Sequence, residues 1–229
     1  MMEAFKKLDS TAASLQVANI DTDQIIPARF LKTPRSTNHG EFLFHDIRRN
    51  SSGELDPNFI LNTPENKQTQ ILVADTNFGC GSSRESAVYA LFDAGIRCVI
   101  APSFGDIFYN NSIKNGLLPI ELDRNEIEDI WQILKTANNT RIEVDLKNQT
   151  IHLPNGKNIN FQIDPFRKQT LIEGMDDIDL TLKYRQLIED HETSNAVERP
   201  WICLLYTSDA ADEGLCVDLG RRRIIKKKN

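Results

Sequence analysis

The chain has 229 residues, 40% of them hydrophobic and 26% charged, the balance of an ordinary globular protein with room for one well-packed core. No apolar run approaches the roughly 18 residues of a membrane span, and the polar start Met1 to Asp9 has no signal-peptide core, so the expected location is cytoplasmic. A net charge of -6 argues against nonspecific nucleic-acid binding, and the dense basic run Arg221 to Lys228 lies at the extreme end.

In chain order, Ser14 to Ala18 alternates weakly as a strand and Asn19 to Asp23 follows as a polar turn, in which Asp21 or Asp23 caps the segment starting at Gln24. Leu31 to Gln70 is rich in Pro, Asn, Ser and Gly. So long a loop in a compact domain is functional or disordered, and Phe42-Leu43-Phe44 is the apolar island that tacks it down. His39 and His45 sit in it without partner residues for a metal site, so both read as packing or solvent-exposed histidines.

Ile71 to Ala74 is a short apolar run of the kind that makes a buried strand, while Ala87, Ala90, Leu91 and Ala94 recur at helical spacing and Gly95 closes that segment. Between them lies Asn77 to Ser86, NFGCGSSRES, a strand-to-helix turn with two glycines, two serines and a thiol. Gly79 and Gly81 allow positive φ, and Ser82 or Ser83 is expected to cap the helix, leaving amide hydrogens to attract an anion. The plain alternative is a capped helix and nothing more. A dinucleotide site would want glycine at Arg84, and a nucleophile elbow would want glycine at Glu85. Cys80 is either a small packed residue or a thiol whose pKa a helix start lowers.

Arg97 to Ala101 and Leu117 to Leu122 read as further buried strands, and between them Pro102 to Asp106 starts a short helix through Asn115. Asp123 and Glu126 form a capping-box-like start for a helix carrying Ile127, Ile130, Trp131 and Leu134 at core spacing, Trp131 among the core. Arg141 to Leu146, Thr150 to Leu153 and Asn158 to Ile163 form a meander with turns at Asn148-Gln149 and Pro154-Asn155-Gly156. Pro165 opens a helix, and Leu180 to His191 forms the last one. Strand-helix units followed by an antiparallel meander predict a layered α/β fold.

From about Cys203 the text Cys-Leu-Leu-Tyr-Thr-Ser-Asp-Ala-Ala-Asp-Glu reads like an in-frame translation of a sequencing adapter, so the expected domain is 1–202 and 203–229 a non-native tail. Without the tail only Cys80 and Cys98 remain. Two scattered cysteines cannot supply the thiolates of an iron-sulfur cluster or a structural zinc site.

If Ser82 is to take a proton from carbon, a hydroxyl pKa near that of water, about 15.7, must fall by several units, and a helix N-terminus supplies only about 0.3–2 kcal/mol of this. The remainder must come from Arg84, from further amide donors, and from charges outside this chain. Serine is therefore credible as a base only in a shared, water-excluded site. Arg84 suits such a site because a guanidinium grips a carboxylate through two hydrogen bonds; its plain alternative is a surface ion pair.

Asp21 to Pro27 (DTDQIIP), Asn77 to Glu85, Ala101 to Asn111 (APSFGDIFYNN) and Leu117 to Pro119, taken in order, resemble the small subunits of 3-isopropylmalate dehydratase, a family of the aconitase superfamily. The likeness runs from about Leu15 to Leu187. It implies a swivelling β/β/α domain, like the C-terminal domain of aconitase, that closes over a four-iron four-sulfur cluster held by a separate large subunit. No cofactor is then expected in this chain. It implies that Ser82 is the base, that Arg84 binds a substrate carboxylate with support from Ser83, and that Asp21 is the acid near the site. The implied enzyme is a hydro-lyase of leucine biosynthesis, active only with its large subunit on a hydroxy diacid. Phe30 to Thr33 falls where related enzymes choose the substrate side chain; Leu31 suits an isopropyl group, where a second carboxylate would want arginine. Ser86 departs from the histidine many bacterial members carry there. That departure leaves open a related hydro-lyase acting on another malate derivative; a non-catalytic anion-binding module is the contrasting reading.

Overall fold

The structure, a computed structural model, describes residues 3–136 and 140–199. They belong to two compact units dividing after Leu180. The expected tail, 203–229, lies outside the described residues. Among the described residues no helix is long and apolar enough to cross a membrane.

The first unit is built on a seven-stranded sheet whose middle strand is β1 (Lys7–Leu15). Its first half, Lys7 to Thr11, pairs antiparallel with β5 (Arg141–Asp145), and its second half, Ala12 to Leu15, pairs parallel with β2 (Ile71–Ala74). β3 (Cys98–Ala101) and β4 (Leu118–Glu121) extend the parallel side. β6 (Thr150–His152) and β7 (Asn158–Asn160) extend the antiparallel side, with Gln149 and Gly156 turning the meander at positive φ. The layered α/β expectation holds.

β1 corrects the strand expected at Ser14 to Ala18. Its inward positions are Ser10, Ala12, Ala13 and Leu15, too small and polar to stand out in sequence, and its two partners come from far along the chain.

Successive side chains of β2 to β4 enter opposite cores. Ile71, Val73, Ile100 and Ile120 join Ile127, Ile130, Trp131 and Leu134 of α4 (Arg124–Thr136), while Leu72, Ala74, Val99 and Ala101 join α2 (Glu85–Asp93) and Phe108 of α3 (Asp106–Lys114). Trp131 is core, its indole N–H donating to the Val73 carbonyl at 3.3 Å. Leu43 and Phe44 are fully buried in the second core and fasten the long loop as the apolar island suggested.

Asp164 caps the helix Pro165–Glu173 (α5), and Gly174 ends it in the left-handed conformation. The single final helix expected from Leu180 is instead two, Asp177–Leu182 (α6) and Arg185–Glu198 (α7). The break at Lys183-Tyr184 contains neither Gly nor Pro, so no stop signal marks it in sequence. α7 belongs to the second unit.

Candidate active site

Strands β1, β2 and β3 run parallel and deliver three turns to their carboxyl ends, where open α/β sheets bind ligands. Backbone hydrogen bonds sew the turns together. Phe78 N–H donates to the Ser103 carbonyl at 3.0 Å and Gly105 N–H to the Phe78 carbonyl at 2.9 Å; on the other side Gly79 N–H donates to Ile20 at 2.7 Å and Thr22 N–H to Cys80 at 2.9 Å. The turn after β2 is therefore clamped from both flanks. Gly79 is required there, because at φ 71° a Cβ would lie 2.2 Å from Cγ of Phe108.

Asn77 to Arg84 leaves this clamp in a non-helical path. The Thr22 hydroxyl donates to the Ser82 carbonyl at 2.9 Å, Gly81 has φ 88°, and Arg84 is extended at φ -135°. A chain so held cannot begin a helix before Glu85. This corrects the expected serine cap: the N-cap of α2 is Arg84, with no side-chain cap, and Ser82 and Ser83 stand exposed ahead of it. The helix dipole, which fades within one turn, acts on Ser82 less than a capping serine would feel.

Asp21 is the N-cap of α1 (Thr22–Ile25), and its carboxylate accepts the Gln24 N–H at 2.7 Å while Gln24 accepts the Asp21 N–H at 3.0 Å. That capping box engages Asp21 within its own turn. The acid that meets Arg84 is Asp23, which accepts a hydrogen bond from its guanidinium and the Ala28 N–H at 3.2 Å. The Arg84 guanidinium holds the Asp23 carboxyl below the usual carboxylate range. Sequence reasoning had Asp23 only as a second candidate cap. The available signal was that Asp-Thr-Asp offers two acids and a short helix needs one cap.

Leu31 ends the 3-10 turn Ala28–Phe30 and is 38% exposed. Its segment reaches the Arg84 turn through Ala28 and Asp23 rather than through Leu31 itself. Burial, and then the charge of Asp21, push the Cys80 thiol up, the reverse of what a helix start would do, because α2 begins only at Glu85. His39 is buried with its Nδ1 2.8 Å from the Thr37 carbonyl, and His45 lies half-buried beside Asp46 and Arg29, so both are packing or surface residues. Among the described residues no group of three or more His, Cys, Asp and Glu side chains gathers to hold a metal ion.

This architecture, a clamped glycine turn at the edge of a half-parallel sheet, defines a class. The family model of the aconitase C-terminal domain matches residues 2–125, over half of the chain, and the LeuD_N model matches residues 128–165. A 3-isopropylmalate dehydratase small subunit from Granulibacter bethesdensis is 52% identical over 200 residues, 87% of this chain and 96% of its own length. The corresponding small subunit from Afipia carboxidovorans is 49% identical over 201 residues, 88% of this chain and 100% of its own. A crystal structure of 3-isopropylmalate dehydratase from Methanocaldococcus jannaschii is 31% identical, covers 81% of this chain and 99% of that one, and superposes with a TM-score of 0.58. The chain belongs to the family of 3-isopropylmalate dehydratase small subunits.

Proposed function

We propose that this chain is the small subunit of a cytoplasmic 3-isopropylmalate dehydratase, a hydro-lyase of leucine biosynthesis that interconverts 2- and 3-isopropylmalate and works only with a large subunit. The observation that carries the reading is an exposed Ser82 two residues ahead of Arg84, whose guanidinium Asp23 holds, on a turn clamped to its neighbours, in a chain about half identical to small subunits of that name.

Ser82 takes the carbon-bound proton as water is eliminated to form the alkene, and returns a proton as water adds at the neighbouring carbon. Arg84 grips a substrate carboxylate, with Ser83 beside it, and so sets the distance from that carbon to Ser82. Asp23 takes a hydrogen bond from one of its terminal nitrogens, and a guanidinium has five donors in all to share between that carboxylate and a substrate's. Asp21 acts at one remove: its cap holds Thr22, and Thr22 holds the Ser82 backbone. Leu31 contacts the alkyl chain. The cluster belongs on the large subunit, and no step assigned to this chain passes through it.

The test follows alkene formation from 2-isopropylmalate by absorbance, with the chain mixed anaerobically with a cluster-loaded large subunit. Activity needing both proteins, and lowered about 1,000-fold by Ser82→Ala while the complex still assembles, is the expected result. Full activity in Ser82→Ala removes the serine as base. Assembly with silence on 2-isopropylmalate and turnover of another hydroxy diacid would reassign the substrate, the alternative that Ser86 leaves open.

A further inference from the structure

The long loop that carries Leu31 is fastened to the far end of the same helix that begins at the Ser82–Arg84 turn. Asp93, the last residue of α2, accepts two hydrogen bonds from Arg35 at 2.9 and 3.1 Å and a third from the His39 N–H at 2.9 Å. The Arg35 guanidinium also lies over the Tyr89 ring, 4.3 Å from its centroid, one turn back along α2. Gly40 completes the approach: a Cβ there would lie 2.6 Å from the Ala94 nitrogen. The loop backbone therefore touches the helix backbone.

An aspartate at this position works against α2, whose C-terminal end carries the negative pole of the helix dipole and has no basic residue in its last turn. What it gains is the loop. Its side chain is only 16% exposed, and the hydrogen bonds from Arg35 form a charge-assisted pair of the directional kind. On the other side of Leu31, Phe30 stacks on Phe42 with centroids 4.3 Å apart and Ala28 is tied to Asp23. Phe30 to Thr33 is thus pinned between two anchors, one at each end of α2.

We propose that Asp93, through Arg35 and the His39 amide, is a positioning residue for substrate selection: it fixes the Leu31 segment relative to α2, the helix whose N-cap is Arg84, and thereby the length of alkyl chain the site accepts. This rests on the reading of Leu31 as the alkyl contact.

Two measurements on the full chain test it. In the complex with the large subunit, kcat/KM is compared for 2-isopropylmalate and for 2-methylmalate, the same acid with a shorter branch. Arg35→Ala and Asp93→Ala are expected to lower the ratio of the two about tenfold, through KM for the isopropyl substrate with kcat kept, whereas Arg35→Lys, which keeps the charge, restores part of it. Hydrogen exchange in the chain alone then reads the anchor directly. The Leu31 and Thr33 amides, bonded to Ala28 and Phe30 at 3.1 and 3.0 Å, should exchange about tenfold faster in Asp93→Ala while Ala90 and Leu91 in α2 stay protected. Unchanged exchange at Leu31 and Thr33 overturns the proposal, as does an equal fall on both substrates with protection lost throughout α2, the mark of mere packing. Faster exchange in a chain whose wild-type complex ignores 2-isopropylmalate instead keeps the anchor and refutes the assigned substrate; the ratio is then read on the diacid that is turned over.

Discussion

The two halves of the sheet share the central strand β1 and differ in how their strands are buried and connected. β2 and β3 are buried at every position, and β4 at all but its last, because helices or the loop cover both of their faces; β5, β6 and β7 bury only alternate residues. The parallel half needs crossovers, and these place long turns at the carboxyl ends of its strands. The antiparallel half closes with tight turns at Gln149 and Gly156 and has no such edge. The candidate site residues therefore lie where the connections are long, and the meander completes the first core through Ile151, Ile159 and Phe161.

That division can be broken by substitution. The largest effect on stability is expected from the meander: Ile151→Ala, at a fully buried position, should cost about 2–5 kcal/mol in denaturant unfolding while leaving kcat/KM of the assembled enzyme unchanged. A changed KM would mean the meander reaches the substrate. Arg84→Lys should do the opposite, keeping the melting temperature and lowering kcat/KM about 100-fold, near 2.7 kcal/mol, because an ammonium cannot reproduce the forked grip.

Asp23→Asn should cost less, about tenfold in kcat/KM, since Arg84 keeps its place on the turn and loses one aiming partner. The pH dependence of this pair has a definite sign. A carboxyl held below its unfolded value contributes stability above the ordinary carboxylate range and loses it as pH falls through the folded value. An NMR titration of Asp23 should accordingly give a midpoint below 3.8, with the Arg84 tie intact at neutral pH. The smallest effect belongs to Cys80: with its thiol pushed up by burial, it should react with iodoacetamide at pH 7 more slowly than the same cysteine after unfolding.

How much of this was legible followed from burial. Ile71 to Ala74 and Cys98 to Ala101 were readable as strands because burial on both faces leaves a continuous apolar run. The spacing of Ile127, Ile130, Trp131 and Leu134 likewise declared the α4 face. β1 was read seven residues late, because its pattern is made of serine, alanine and threonine and its stability comes from β2 and β5. The serine cap was a sound local inference overruled by a distant residue, since the Thr22 hydroxyl holds the Ser82 carbonyl across 60 positions.

The amino-acid sequence by itself determined the layered α/β class, the core faces of its helices, the strand-to-helix turn Asn77 to Ser86, and the family likeness carried by its ordered motifs. Periodicity and glycine placement are local properties, and a single chain displays them in full. Only the tertiary structure decided that Asp23 rather than Asp21 faces Arg84, that Ser82 stands free of the helix cap, and that Asp93 holds the loop around Leu31. These pairings join residues 58 to 61 positions apart, and nothing in local spacing encodes which partners the sheet will bring together.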